Sequence, residues 1–270
     1  MILNWRQQQR CHVARICLQG LIVESVREWM LSALSEIEEE GISAILLRID
    51  SPGGTIVDSQ EIHAALLRLR DKGCKIVASF GNMSASGGVY IGMAAEKIVS
   101  NPGTITGSIG VILRGNNLAK LLERVGIRFE TVKSGLYKDI LSPDRDLNSA
   151  ERDILQELID SSYKQFVAAI AQSRGLTEEQ VREFADGRIF SGAQALNLGL
   201  VDALGDEQTA LQLLAQLADI ELDSTKRLNF VNSSDKIKRF TQNSSLLNQL
   251  QNALSLELAW SGQALWLYRP

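Results

Sequence analysis

Histidine and cysteine are scarce in this sequence, and their scarcity limits the chemistry open to the chain. Its 270 residues include two histidines and three cysteines. No HExxH motif and no Cys/His cluster with metal-ligand spacing occurs, so we expect no metal site. The cysteines Cys11, Cys17 and Cys74 form no CxxC pair and are odd in number. This pattern argues against a disulfide framework and favours reduced thiols in a reducing compartment.

The glycine-rich motifs of nucleotide-binding proteins are also missing. Neither GxGxxG nor GxxxxGK[ST] occurs in the chain. Dinucleotide and P-loop chemistry are therefore unsupported, and we expect no cofactor. A formal net charge of −4 argues against a nucleic-acid-binding surface over the whole protein.

Long apolar runs are absent as well. The first ten residues contain no apolar segment as long as a signal peptide or membrane anchor. The longest uncharged stretch, residues 76–95, is interrupted by glycine, serine and asparagine, which makes it a poor transmembrane candidate. These features predict a cytoplasmic protein.

The C-terminal tail suggests a contact with the membrane surface. Five basic residues against one acidic residue lie between Lys226 and Arg239, and Trp260 and Trp266 follow in an apolar terminus. Such a basic and then apolar segment is typical of a peripheral membrane contact. The alternative is a tail that packs on its own domain or on a neighbouring subunit.

The pattern of apolar residues predicts an α/β fold. Apolar runs at 13–18, 42–49 and 75–80 alternate with stretches of helical period, as in repeated βαβ units. A long helix is expected over 149–173, with Asn148 and Glu151 at its start. Composition turns polar after about residue 220. The predicted organisation is an N-terminal extension (1–12), a main domain (13–220), and a linker with an apolar tail (221–270).

Three local patterns give further expectations. The strand at 75–80 is followed by a glycine-rich turn, residues 81–88, that leads into a helix. Asp58 and Glu61 have the spacing of a capping box at the start of another helix. Residues 127–132 have the composition of a strand.

Two glycine pairs, Gly53-Gly54 and Gly87-Gly88, each come directly after a strand. In a parallel α/β sheet such turns form the ligand crevice. Ser86 lies in the second turn, where its hydroxyl can project, and the amides of Gly53 and Gly87 can donate to a tetrahedral oxyanion. The same glycines also suit ordinary loops, and their spacing alone does not decide between the two interpretations.

A serine nucleophile needs a general base, and the histidines are poorly placed to provide one. His63 lies inside an amphipathic helix, whereas catalytic bases usually come from loops or strand ends. A lysine can serve when burial and positive potential lower its pKa. Lys138 lies in a short segment before the long helix, where Tyr137 and Ile140 can help to desolvate it. A solvated surface lysine is the alternative interpretation.

Five motifs together resemble the signal peptide peptidase A family, over about residues 13–215 and in the order of that family. They are Asp50-Ser-Pro-Gly-Gly54, Gly81-Asn-Met-Ser-Ala-Ser-Gly-Gly88, Thr106-Gly-Ser-Ile-Gly110, Lys133-Ser-Gly-Leu-Tyr-Lys-Asp139, and the pair Ala185-Asp-Gly-Arg188 with Leu198-Gly-Leu-Val-Asp202. The chain looks like the short, single-copy form known from cyanobacteria. Many relatives carry an N-terminal membrane anchor, which this sequence does not show.

The resemblance implies a role for each matching residue. Ser86 matches the nucleophile, Lys138 the general base, and Ser108 the hydroxyl that orients that lysine. The amides of Gly53 and Gly87 match the oxyanion hole. The implied enzyme is a serine endopeptidase with a Ser/Lys dyad.

The resemblance also implies a fold, an assembly and a class of substrate. The fold is the Clp/crotonase spiral of stacked β-β-α turns, with a helical arm used for oligomerisation. Members of the family form homo-oligomeric rings in which neighbouring subunits contribute the serine and the lysine of one site. The substrates are cleaved signal peptides and other short apolar or unfolded peptides.

Two alternative functions remain open from the sequence. A crotonase-type acyl-CoA enzyme shares the oxyanion architecture but requires catalytic carboxylates instead of Ser86 and Lys138. A catalytically silent, membrane-associated scaffold on the same fold does not need Ser86, Ser108 and Lys138 together, and all three are present.

Overall fold

A computed structural model of the chain describes residues 13–221, 227–231 and 264–268. The strands are β1 (Val13–Gln19), β2 (Ala44–Ser51), β3 (Gly53–Thr55), β4 (Lys75–Ala85), β5 (Lys97–Ser100), β6 (Ile105–Gly107), β7 (Ile112–Leu113), β8 (Ile189–Ser191), β9 (Ala203–Leu204), β10 (Arg227–Val231) and β11 (Ala264–Leu267). The helices are α1 (Glu24–Glu39), α2 (Ile56–Asp71), α3 (Gly87–Gly92), α4 (Ala119–Arg124), α5 (Ser149–Arg174), α6 (Glu178–Arg182), α7 (Gly192–Asn197) and α8 (Glu207–Ala218). Strands and helices alternate through the first hundred residues, as the apolar periodicity predicts.

The described residues form two compact units. The first unit contains residues 13–110, 165–221, 227–231 and 266–268, and the second contains residues 111–164 and 264–265. The predicted main domain of residues 13–220 therefore contributes to both units, and the first unit also includes residues beyond 220.

A parallel sheet forms the centre of the first unit. Its strands follow the order β10-β1-β2-β4-β5-β9, and β6 extends it beside the end of β4. The registers pair Val13 with Ala44 and Ala44 with Lys75. Strands covered on both faces read as continuous apolar runs, which explains why β2 and the first half of β4 are almost wholly buried.

Helices pack on both faces of this sheet because successive side chains of a strand point to opposite sides. On one face, Leu211 and Leu214 of α8 pack against Val13, Leu46 and Val77. Burial of each of these leucine side chains stabilises the folded state by about 2 kcal/mol. On the other face, Ile49 of β2 and Phe80 of β4 lie near Gly92 of α3.

The short helix α3 approaches the sheet closely because its glycines carry no side chain. A Cβ on Gly92 would lie 2.8 Å from the ring of Phe80. A Cβ on Gly88 would lie 3.1 Å from the carbonyl oxygen of Ser51. This close packing holds the turn before α3, which contains Ser86, against the end of the sheet.

Two segments beyond residue 220, the predicted end of the main domain, join the first unit. Strand β10 pairs in parallel with β1, from Val13–Arg227 to Cys17–Val231. Trp266 of β11 is fully buried in the same unit. Because its indole is inside the protein, Trp266 does not belong to a membrane-contacting surface in this structure.

Three local expectations differ from the structure. Strand β4 continues to Ala85, so the segment predicted as a turn from residue 81 is mostly strand. Helix α2 begins at Ile56, and the hydroxyl of its N-cap Thr55 donates to the Asp58 carboxylate, so Asp58 lies inside the helix. Residues 127–132 form no strand and are exposed.

The second unit contains α4, β7 and the first part of α5. Asn148 and Glu151 form the predicted capping box, in which each backbone N–H donates to the other residue's side chain at 3.0 and 2.9 Å. Apolar side chains along this unit are widely exposed. They include Leu121, Val125, Ile127, Phe129, Val132, Leu136, Ile154 and Leu158.

Several predictions fall outside the described ranges. The N-terminal extension with Cys11 lies there, as do Trp260 and most of the basic segment.

Cys17 and Cys74 are buried and form no disulfide with each other, and burial raises the pKa of the Cys74 thiol to about 12. Within the part of the chain that the structure describes, none of the helices has the length and apolar character needed to cross a membrane.

Candidate active site

Ser86 occupies a strained turn between β4 and α3. Its backbone angles are φ 52° and ψ −116°, in a region that residues other than glycine rarely adopt. The conformation is held at both ends, since the Ser86 N–H donates to the Gly107 carbonyl at 2.8 Å and the Ser86 carbonyl accepts from the Tyr90 N–H at 3.0 Å. Such strain is concentrated at functional sites, where the surrounding structure enforces it.

The hydroxyl of Ser86 is buried and has no hydrogen-bond partner among the residues that the structure describes. The residue is 1% exposed, and its Oγ makes no hydrogen bond within the described residues. An unpaired buried hydroxyl costs about 1 to 3 kcal/mol. Most buried polar groups are satisfied, so an unpaired one at a strained turn marks a site where a reacting group is expected.

Gly53 and Gly87, the predicted oxyanion donors, lie against each other beside this turn. Gly53 has φ +100°, and a Cβ there would lie 2.7 Å from the Gly87 amide nitrogen. A Cβ on Gly87 would lie 2.6 Å from the hydroxyl of Ser59 and 3.3 Å from the Gly53 Cα. At Gly53 only glycine fits, and at Gly87 a side chain would displace the Ser59 hydroxyl, so the two backbones approach each other closely.

The amide of Gly53 already has an acceptor in this structure. Its N–H donates to the Ser51 Oγ at 3.0 Å. A substrate oxygen would have to share or replace that acceptor. Ser51 was not among the residues singled out from the sequence, although it lies inside the Asp50-Ser-Pro motif.

Ser108 lies next to the residue that anchors the Ser86 turn. Gly107 pairs with Ala85 across β6 and β4, and Ser108 follows it with φ 51° and 8% exposure. The Ser108 N–H donates to the Arg188 carbonyl at 2.7 Å. The Thr-Gly-Ser-Ile-Gly and Ala-Asp-Gly-Arg motifs therefore meet in space.

Hydrogen bonds also tie the first two motifs together. Asp50 accepts from the Met83 N–H at 3.0 Å and from the Asn82 side chain at 3.2 Å. The Ser84 hydroxyl donates to the Ile49 carbonyl at 2.7 Å. These residues position the Ser86 turn, and the sequence signal for them was the polar composition of an otherwise buried strand.

Lys138 belongs to the second unit and is exposed there. Its backbone N–H donates to the Gly135 carbonyl at 3.2 Å, which closes a short turn. Tyr137 is 41% exposed, so it does not remove the lysine from water within this chain. The expected desolvation by Tyr137 and Ile140 is absent from the described single chain.

An ion-pair cluster holds the segment that carries Lys138. Asp139 accepts from Lys133 at 2.6 Å and from Arg145 at 2.8 Å, and Arg145 also pairs with Glu151. The Arg145 guanidinium and then the Lys133 ammonium hold the pKa of Asp139 well below its usual range. Arg145, helped by the Asn148 N–H, lowers the pKa of Glu151 to about 2.

His63 packs against the ring of Tyr90, and its surroundings do not suit a general base. Its ring is 4.7 Å from that of Tyr90 between centroids. Burial, and then the positive charge of Arg70, lower the pKa of His63 to about 4. The imidazole is therefore neutral near pH 7 and packs as an apolar group within helix α2.

Trp266, which the sequence pattern assigned to a membrane-contacting tail, packs near the Ser86 turn. Its ring lies 4.2 Å from Tyr90 and 4.7 Å from Phe166, and its carbonyl oxygen lies against Gly53. The sequence offered only an apolar C-terminal tail as a signal.

Across the described ranges, no group of three or more His, Cys, Asp or Glu residues is arranged to hold a metal ion.

Sequence comparison shows the family to which the chain belongs. The model of Peptidase family S49 matches residues 68–221. A Synechocystis sp. protein named as a protease is 52% identical over 278 residues, covering 100% of both chains. An Enterococcus faecium protein named as a signal peptide peptidase, SppA, is 40% identical over 185 residues, which cover 68% of this chain and 54% of the relative.

A solved structure identifies the fold. A ClpP1 mutant from Listeria monocytogenes superimposes with a TM-score of 0.51 at 20% identity, covering 73% of this chain and 94% of that chain. The predicted Clp/crotonase-like fold is thereby confirmed.

Proposed function

The chain belongs to peptidase family S49 and is a serine-type peptidase, and we propose that Ser86 is its nucleophile and Lys138 its general base. The observation that carries this proposal is the Ser86 turn. A strained serine, whose buried hydroxyl has no partner within the described residues, lies beside two closely packed glycines.

The proposed reaction proceeds by acyl transfer. The neutral amine of Lys138 accepts the Ser86 hydroxyl proton while Oγ bonds to the peptide carbonyl carbon. The Gly53 and Gly87 N–H groups donate to the resulting oxyanion. The C–N bond then breaks, and the lysine returns the proton to the leaving amine. Water, deprotonated by Lys138, hydrolyses the ester, and the proton returns to Ser86.

We assign Ser108 the role of orienting the Lys138 amine. Its position directly after Gly107, which anchors Ser86, supports this role. Ser108 also has positive φ and is buried, as Ser86 is.

The proposed substrates are cleaved signal peptides and other short apolar or unfolded peptides. The relative named as a signal peptide peptidase supports the first class. Membership of a peptidase family removes the crotonase-type acyl-CoA alternative.

We further propose that the active form is a homo-oligomeric ring in which neighbouring subunits share the dyad. Lys138 is exposed in the single chain, and a base must be shielded from water to be neutral near pH 7. Phe129, Val132 and Leu136 on the same unit are 60%, 102% and 67% exposed. A second copy of the chain that covers these side chains would also desolvate Lys138.

Hydrolysis of a fluorogenic apolar peptide tests the dyad. We expect Ser86→Ala and Lys138→Ala each to lower kcat by a factor of roughly 10⁴ or more, and the double variant to be hardly worse, because the two groups act as one unit. Activity of the wild type should rise with pH, since only a neutral amine accepts a proton.

Two matched controls accompany this test. Ser35→Ala removes an exposed serine hydroxyl on helix α1, and Lys120→Ala removes another exposed lysine from the second unit. Both should keep most of the activity. An active Lys138→Ala enzyme would rule out the proposed base, and inactivity of the wild type toward all peptides would favour the scaffold alternative.

A further inference from the structure

A turn at residues 186–188 binds the main chain around Ser108. The Arg188 carbonyl accepts from the Ser108 N–H at 2.7 Å, and the Gly187 N–H donates to the Ile109 carbonyl at 3.0 Å. One of these hydrogen bonds lies before the Ser108 side chain and the other lies after it. The turn therefore holds the main chain on both sides of Ser108, whose φ is 51°.

The side chain of Asp186 closes this turn. Its Oδ1 accepts from the Arg188 N–H at 3.1 Å, two residues further along the chain, which is the hydrogen bond of an Asx-turn. Gly187, at the centre of the turn, has φ +88°, a conformation that favours glycine. A Cβ on Gly187 would meet no atom within 4 Å, so the backbone angle and not the space requires glycine there.

The Arg188 guanidinium orients the same carboxylate. Its Nε lies 2.7 Å from the Asp186 Oδ1. The two side chains are 58% and 49% exposed, and exposed ion pairs contribute little to stability. The guanidinium, helped by the Arg188 N–H, lowers the pKa of Asp186 to about 2, so the carboxylate remains an ionised acceptor near neutral pH. The pair therefore serves the geometry of the turn more than the stability of the fold.

Strand β6 connects this turn to Ser86. It lies between β8, which follows the turn, and β4, which precedes Ser86, and Gly107 pairs with Ile189 on one side and with Ala85 on the other. The Gly107 carbonyl accepts from the Ser86 N–H at 2.8 Å. A displacement of the turn would thus reach Ser108 directly and Ser86 through a single strand.

Strand β8 is fixed by a side chain at each end. It is three residues long, and among the described strands it pairs only with β6. Asp186 holds the chain just before β8. At the other end, Ser191 and Gln194 form a capping box, in which each backbone N–H donates to the other residue's side chain at 2.9 and 3.2 Å. Ser191 pairs with Ile105, at the end of β6 that is remote from Ser108.

We propose that Asp186 is a positioning residue for catalysis, whose Asx-turn holds Ser108, and through β6 the Ser86 turn, in the conformations that the reaction requires. The inference rests on the proposed function of Ser86 and Ser108. Because Asp186 acts through the main chain of these serines, its loss should lower kcat and leave KM nearly unchanged.

A graded series of substitutions tests the turn in the full-length protein. Asp186→Ala removes the acceptor, and we expect kcat for a fluorogenic peptide to fall roughly tenfold. Asp186→Asn keeps an oxygen that accepts the Arg188 N–H and should retain most of the activity, with intact mass confirming that the Asn-Gly sequence has not deamidated. Asp186→Ser, whose hydroxyl accepts more weakly, should be intermediate, and it replaces the alanine variant in the comparison if that variant does not fold.

Gln194→Ala is the matched control, because it removes the side-chain acceptor at the other end of β8. Its kcat should stay near that of the wild type, even where its melting temperature falls as much as that of Asp186→Ala. An equal loss of kcat in Gln194→Ala would mean that the stability of β8, and not the position of Ser108, is responsible. Full activity of Asp186→Ala, or an asparagine variant as inactive as the alanine variant, would also overturn the inference.

Hydrogen exchange followed by mass spectrometry separates the inference from the proposed function. Asp186→Ala should speed exchange in peptides that cover residues 84–90 and 104–110, whereas Asp186→Asn and Gln194→Ala should not. Exchange as expected, with no hydrolysis by any of the proteins including the wild type, would contradict the proposed function and leave the role of the turn standing. Unchanged exchange and unchanged kcat in an active Asp186→Ala enzyme would contradict the inference and leave the peptidase assignment intact.

Discussion

At the scale of single residues, the site combines backbone strain with unsatisfied polar groups. Ser86 and Ser108 both have positive φ, a conformation that costs about 1 to 3 kcal/mol in residues other than glycine. The hydrogen bonds of the Ser86 N–H to Gly107 and of the Ser108 N–H to Arg188 oppose this strain. Two serines with a strained backbone therefore lie close together, and a function of their hydroxyls would explain why this strain is kept.

His63 provides a residue-scale prediction about pH. Because its pKa is lowered to about 4 in the folded state, the unfolded chain binds a proton near pH 6.5 that the folded chain does not. The stability contributed by neutral His63 is therefore present above pH 6.5 and is lost as the pH falls toward 4. We expect the free energy of unfolding in urea to drop by roughly 1 to 2 kcal/mol between pH 7 and pH 5.

The matched variant for this prediction is His63→Gln, which has no titrating group at that position. Its stability should change much less over the same interval, and its peptidase activity should remain near that of the wild type. A steep loss of stability in both proteins would show that another group is responsible, and loss of activity in a folded His63→Gln would challenge the choice of Lys138 as the base.

Local sequence predicted the position of the residues that lie in turns at strand ends. Ser86, Gly87 and Gly53 follow strands and carry the small side chains that such turns require. Trp266 could not be found in this way, because its partner Tyr90 lies more than 170 residues away in the chain and only folding brings them together. The exposure of Lys138 could not be predicted either, because neighbours in sequence such as Tyr137 do not show which side chains cover the lysine in the folded chain.

At the scale of elements, the segment between α4 and α5 that contains Lys138 is held by ion pairs instead of by regular secondary structure. Residues 127–132 have the composition of a strand, but no strand forms there, and their side chains are exposed. Strand β10 was overlooked for the opposite reason. Its residues Arg227 and Asn229 give the segment the composition of a linker, yet among the described strands β10 lies at the edge of the sheet and pairs with β1.

The ion-pair cluster leads to an element-scale prediction. Arg145→Gln removes the group that binds both Asp139 and Glu151, and we expect a loss of roughly tenfold or more in kcat with little change in KM, because the Lys138 turn is misplaced. Arg145→Lys should restore part of the activity, since it keeps the charge but not the forked geometry.

Arg152→Gln is the control for this prediction, because Arg152 is an exposed arginine on the same helix as Glu151. Kinetics and thermal unfolding are measured for all three variants. If Arg145→Gln lowers the melting temperature while kcat is unchanged, the cluster stabilises the fold without positioning Lys138.

At the scale of the whole molecule, a sharing of the dyad predicts complementation between inactive subunits. When Ser86→Ala and Lys138→Ala chains are co-expressed in equal amounts, random mixing in a closed ring gives about a quarter of the sites an intact serine and lysine from neighbouring copies. We expect the mixed assemblies to recover activity of that order. Each variant purified alone should remain inactive.

Mass measurement of the intact assemblies must accompany the activity assay. Differently tagged subunits purified through both tags provide assemblies that contain the two variants. Confirmed mixed rings without activity would mean that one chain supplies both Ser86 and Lys138 to its own site.

Covalent labelling tests most directly whether Ser86 is the nucleophile. The wild-type protein is incubated with a fluorophosphonate probe, and the adduct is located by peptide mass spectrometry, with Ser35→Ala and Ser86→Ala treated in parallel. We expect a single adduct on Ser86, present in the wild type and in Ser35→Ala and absent from Ser86→Ala. An adduct on a different residue, or equal labelling of the Ser86→Ala protein, would contradict the assignment of Ser86.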